Sequence, residues 1–74
     1  MKTIAETKVK FDSEYFEELL TEKNISVYKA AKTIGTSHKV VCNWCNELFV
    51  PSGEMLYKLS VLLDVAMEDL LKEV

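Results

Sequence analysis

Seventy-four residues with a formal charge of −3 make one domain around one small core. A hydrophobic share of 49% against 28% charged residues excludes a disordered chain, and two glycines with one proline leave few places to interrupt a helix. No apolar run approaches the roughly 20 residues of a bilayer span. Residues 1–12 carry neither the apolar stretch nor the cleavage pattern of an export signal. The expectation is a cytoplasmic protein, without a membrane partner, whose two cysteines are reduced.

The predicted elements follow in chain order. Residues 1–11 read as an N-terminal arm or a short strand, since Val9 and Phe11 alternate with Lys8 and Lys10. The domain proper is expected over 12–74. Asp12 or Ser13 caps a first helix with Phe16, Leu19 and Leu20 on its apolar stripe, and Asn24 stops it. Ser26 caps a second, in which Val27, Ala30, Ala31 and Ile34 recur at helical spacing, and Gly35 closes it in the left-handed region.

Ser37 caps a third helix running to about Asn46. Its apolar side carries Val41, Trp44, Cys45 and Leu48, with Lys39, Asn43 and Asn46 opposite. Pro51 and Ser52 break the chain and cap a fourth helix facing inward with Met55, Leu56, Leu59, Leu62 and Leu63. After a turn at 64–66, residues 67–74 are expected to form a fifth helix, with Leu70, Leu71 and Val74 facing in. The fold class is thus all-α, a compact five-helix domain.

Charge is segregated along this order. Residues 23–46 hold Lys23, Lys29, Lys32, Lys39 and the single histidine, His38, with no Asp or Glu, a formal +4. The remainder sets five lysines against twelve acids, a formal −7. A basic segment in an acidic chain marks a face for a polyanion better than the total does.

That segment coincides with two short helices joined by Gly35-Thr36-Ser37. A steep helix-turn-helix crossing needs a small residue on the first helix, here Ala31, and a residue tolerant of positive φ at the turn, here Gly35. It also needs a branched apolar residue buried on the second helix, here Val41. Ala30, Ile34 and Trp44 close the core around the pair.

With these residues, and with Ile25-Ser26, Pro51-Ser52, Leu56-Lys58-Leu59, Leu62-Leu63-Asp64-Val65 and Glu68-Asp69-Leu70-Leu71, the chain resembles the Cro and phage-repressor (XRE-like) helix-turn-helix family over roughly 14–72. The resemblance implies a lambda-repressor-like five-helix fold and a sequence-specific regulator, a repressor by expectation. Such a protein reads the major groove of double-stranded DNA with the helix at 37–46. It implies a homodimer on a palindromic operator, because one recognition helix reads only a few base pairs. The candidate dimer surface is Phe49, Val50 and the last helix with Met67 and Val74.

On that reading His38, Lys39, Cys42 and Asn43 are the base-reading candidates. Asn43 suits a bidentate contact to adenine, Lys39 donates to guanine, and Cys42 or Val40 meets a thymine methyl. Ser26, Lys29, Lys32, Ser37, Asn46 and Ser52 are candidates for holding phosphate. The sequence departs from the family where Val27 replaces the glutamine common at the start of the second helix. It departs again after the third helix, where Cys45, Glu47 and Leu48-Phe49-Val50 stand in place of an acid, a glycine and a basic loop, and it holds no arginine. These departures support an alternative, the same fold repurposed to bind protein.

His38, Cys42 and Cys45 share a stripe with soft-ligand spacing, but three donors on one short helix do not enclose a tetrahedral ion, so no metal is expected. Cys42 lies too far inside its helix for thiol-disulfide chemistry at a helix N-terminus. No phosphate loop, paired carboxylates or nucleophile elbow occurs. The expectation is a protein that is not an enzyme and has no cofactor or small-molecule substrate.

Overall fold

The computed structural model describes residues 8–73. The first seven residues of the expected arm, and Val74, which was expected to face inward, lie outside them. Strand β1 (Val9–Phe11) leads into α1 (Ser13–Glu22), α2 (Val27–Ile34), α3 (His38–Cys45) and α4 (Gly53–Leu63). A 3-10 turn at Met67–Leu70 then passes into β2 (Leu71–Glu73).

Each long helix begins where a short polar side chain satisfies one of its free amides. Asp12 Oδ1 accepts from the Tyr15 N–H at 3.1 Å, Ser26 Oγ from Lys29 at 3.0 Å, Ser37 Oγ from Val40 at 3.2 Å and Ser52 Oγ from Met55 at 3.3 Å. Helix α2 ends at Gly35, whose φ of 82° puts it in the left-handed region, and its N–H donates back to the Lys32 carbonyl at 3.3 Å. Asn24 follows the end of α1 with a φ of 55°.

One core unites all the elements. Phe16, Leu19 and Leu20 of α1 meet Ala30, Ala31 and Ile34 of α2, Val41 and Trp44 of α3, and Leu56, Leu59 and Leu63 of α4. Ala31, the small residue expected at the crossing, is buried in the core to which α2 and α3 both contribute.

The expected fifth helix is not formed. Only Met67–Leu70 turns, as a 3-10 segment, and its entry is held by Asp69 Oδ2 accepting from the Ala66 N–H at 3.3 Å. The chain then extends, and Leu71–Glu73 pairs antiparallel with β1, setting Phe11 opposite Leu71 and Val9 opposite Glu73. The Asp12 N–H closes the junction onto the Leu70 carbonyl at 2.8 Å. A helix of eight residues gains little from propensity alone. The strand pairing instead satisfies the backbones of both segments and drives Phe11 into the core, with 2% exposure.

The apolar side of α3 also ends earlier than its spacing implies. The helix stops at Cys45, and Glu47 takes a φ of 60° that turns the chain away. Leu48 is consequently not a core residue: it is 65% exposed, as is Phe49, and Val50 is 54% exposed.

Candidate nucleic-acid interface

Because Val41 and Trp44 anchor the inner side of α3, the remaining positions of that helix divide by depth. His38, Lys39 and Val40 are exposed, and Cys42 and Asn43 are half-buried. His38 with Cys42, and Lys39 with Asn43, form two adjacent one-turn pairs along the outer side. The Cys42 Sγ lies 3.6 Å from His38 Nε2 and 3.7 Å from Nδ1.

The phosphate-holding candidates are distributed around this helix. Lys29 and Lys32 are exposed on α2, and Asn46 is exposed at the C-terminal end of α3. The oxygens of Ser26, Ser37 and Ser52 already accept amide protons from their own helices. A hydroxyl that accepts in this way keeps its own proton to donate outward, so capping and anion binding are compatible.

Two residues of this surface escaped the sequence reading. Tyr28 is 65% exposed on α2, and its ring lies 6.3 Å from that of His38, bridging the two helices of the motif. A signal existed, since Tyr28 precedes Lys32 by one turn on the outer side of α2. Lys10 was the second. Its Nζ donates to Glu47 Oε1 at 3.0 Å, joining β1 to the loop after α3. The hydrogen bond from Lys10, followed by its charge, holds the Glu47 carboxyl below the usual carboxylate range. The one acid directly after α3 is therefore ionised and paired with a lysine from within the fold.

Cys45 is half-buried. It packs against the core, and burial, reinforced by Glu17 and Cys42, pushes its thiol up to about 11, so it is a packing thiol with little thiolate character. Among the described residues no three His, Cys, Asp or Glu side chains gather to enclose a metal ion. No helix among them is long and apolar enough to cross a membrane.

A helix-turn-helix domain is what these elements define. The helix-turn-helix family model matches residues 16–70, and the chain belongs to that family, in its Cro and phage-repressor branch. A search of curated proteins finds no match.

Solved structures with the same fold include the SOS-response repressor LexA of Eubacterium rectale, at 22% identity and a TM-score of 0.73. That match covers 78% of this chain and 62% of the LexA chain, so this chain spans less than two thirds of that relative's length. A candidate DNA-binding protein of Bacteroides fragilis is 26% identical with a TM-score of 0.75, over 88% of this chain and all of the other. The P22 c2 repressor, solved with a synthetic operator, is 24% identical with a TM-score of 0.74, over 78% of this chain and 88% of its own.

Proposed function

We propose that this chain is a sequence-specific DNA-binding transcription regulator acting as a repressor by occupancy of its site. Helix α3 enters the major groove, and His38, Lys39, Cys42 and Asn43 meet base edges. Lys29, Lys32, Asn46 and the hydroxyls of Ser26, Ser37 and Ser52 hold phosphates and set the register. The observation that carries this reading is the outer side of α3. It presents polar side chains from a helix whose inner side is locked by Val41 and Trp44, within a segment free of carboxylates. Membership of the family and the likeness to the P22 c2 repressor, itself solved on operator DNA, support it.

A single short helix reads too few base pairs for selective binding, so the working unit is a homodimer on a palindromic operator. The exposed Phe49 and Val50, with the half-buried Met67, are the dimer surface the reading favours. The protein carries out no catalysis on this reading and works in the cytoplasm.

A second reading is supported by the same exposed loop. Leu48, Phe49 and Val50 stand in solvent where a phosphate-contacting loop is expected, as they would in a fold that binds protein. Selection of the reduced chain against a random duplex library at low salt separates the two. Enrichment of a palindromic sequence is the result expected. Retention no better than that of an acidic control protein, with no enrichment, would move the assignment to protein binding.

A further inference from the structure

Two of the proposed base-reading side chains on helix α3 also carry a chemistry beyond hydrogen bonding to DNA. The Cys42 thiol and the His38 imidazole lie one turn apart on the outer side of the helix, with Sγ nearly equidistant from the two ring nitrogens, at 3.6 and 3.7 Å. A thiol beside an imidazole is a soft and borderline donor set that selects a soft cation such as Cu(I) over magnesium, calcium or manganese. The surrounding segment reinforces this selection, since residues 23–46 offer no carboxylate to a hard cation. Zinc is disfavoured because it takes four donors, and no third His, Cys, Asp or Glu joins this pair among the described residues.

We propose that His38 and Cys42 form a two-donor site for Cu(I), and that filling it withdraws both side chains from DNA. The second half rests on the function proposed above. Metal–sulfur and metal–nitrogen bonds of about 2.3 and 2.0 Å, taken from zinc sites, sum to ~4.3 Å. The observed separations of 3.6 and 3.7 Å are close to this span, so a small side-chain adjustment admits the ion, and an open position remains for a third ligand, a small thiol or water. The near-equal distances put Sγ over the face of the ring, and a rotation of the exposed imidazole about its χ2 bond turns one nitrogen toward the ion. Binding replaces the Cys42 S–H bond with an S–Cu bond and releases one proton to solvent; no electron is transferred. Cys45 packs against the core and stays out of the site.

The test uses the whole reduced chain under nitrogen, with Cu(I) partitioned against a chromophoric Cu(I) chelator. One Cu(I) per chain is expected. Cys42→Ser should lower the affinity at least a hundredfold and His38→Ala at least tenfold, while Cys45→Ala leaves it within twofold. All three variants are checked for native circular dichroism and melting. Binding unchanged in His38→Ala, or lost in Cys45→Ala, overturns the site.

A second arm measures retention of a selected duplex. One equivalent of Cu(I) should weaken wild-type retention at least tenfold and leave that of Cys42→Ser insensitive to the metal. Cu(I) binding without any change in retention overturns the coupling. A chain that takes up Cu(I) but retains no duplex in its metal-free state refutes the DNA reading and not the metal site.

Discussion

Lys10 and Glu47, separated by 37 positions in the chain, meet at 3.0 Å and tie β1 to the loop that leaves α3. Glu47 holds a left-handed backbone conformation at this point, with a φ of 60°, so the contact lies where the chain turns away from α3. The pair has a second consequence. It pairs the carboxylate nearest the end of α3 with a lysine, which lessens the electrostatic objection to the proposed DNA binding.

The pair predicts a pH signature. Glu47 titrates below its ordinary value in the folded chain, so its contribution is present above the unfolded carboxylate value of about 4.3 and is lost as pH falls through the folded value. Glu47→Gln should be slightly less stable than wild type at neutral pH, and the gap should close as urea unfolding is repeated at progressively more acid pH. A gap that stays constant with pH would show that the carboxylate charge is not what the turn uses.

Phe11 tests whether β1 is an integral part of the domain. Its ring packs 5.3 Å from that of Phe16 and 6.4 Å, edge-on, from Trp44. Phe11→Ala should cost about 3–5 kcal/mol, the range for a truncated core aromatic and a large share of a small domain's stability. Val9→Ala, at the exposed end of the same strand, should change stability by less than about 0.5 kcal/mol. Equal effects from the two would mean that the strand contributes no core.

Local signals made much of this fold legible in the sequence, and non-local ones hid the rest. Ser26, Ser37 and Ser52 announce helix starts because a cap acts within three residues, and Gly35 announces a turn through its own backbone. The β1–β2 pair was not legible as a sheet, since neither three-residue segment has enough alternation to declare itself and each depends on the other. The end of α3 was hidden for a related reason. Leu48 continues the spacing of Val41, Trp44 and Cys45, and no glycine or proline stands before Pro51 to mark the stop. The outer side of α3 could be deduced from its buried side, whereas Tyr28 and Lys10 join that surface through contacts between elements.

Gly35 separates backbone strain from crowding. A side chain added there meets nothing within 4 Å, so Gly35→Ala is penalised only by the left-handed conformation, at φ +82°. The expected loss is about 1–2 kcal/mol by thermal or urea unfolding, with a smaller loss for Gly35→Asn, which tolerates that region better. Once corrected for the folded fraction, duplex retention should be unchanged in both. A loss equal for Asn and Ala would point to an effect other than backbone strain.

Asn43 and Lys32 divide the proposed interface into reading and holding. Asn43 is half-buried on the outer side of α3, beside exposed Lys39, where a carboxamide can make two hydrogen bonds to an adenine edge. Removing it should cost about 1–3 kcal/mol on the selected site and little on unrelated duplex, so the enriched motif should relax at one base position. Lys32 is exposed in the last turn of α2 and acts only through its charge. Lys32→Ala should weaken selected and unrelated duplexes alike. It should also reduce the slope of log affinity against log salt by about 0.9 for each phosphate that a subunit no longer neutralises. Quantitative binding over a salt series reads both effects. If Asn43→Ala weakened all sequences equally while Lys32→Ala changed the preferred motif, the two faces would have to be exchanged and α2, not α3, placed in the groove.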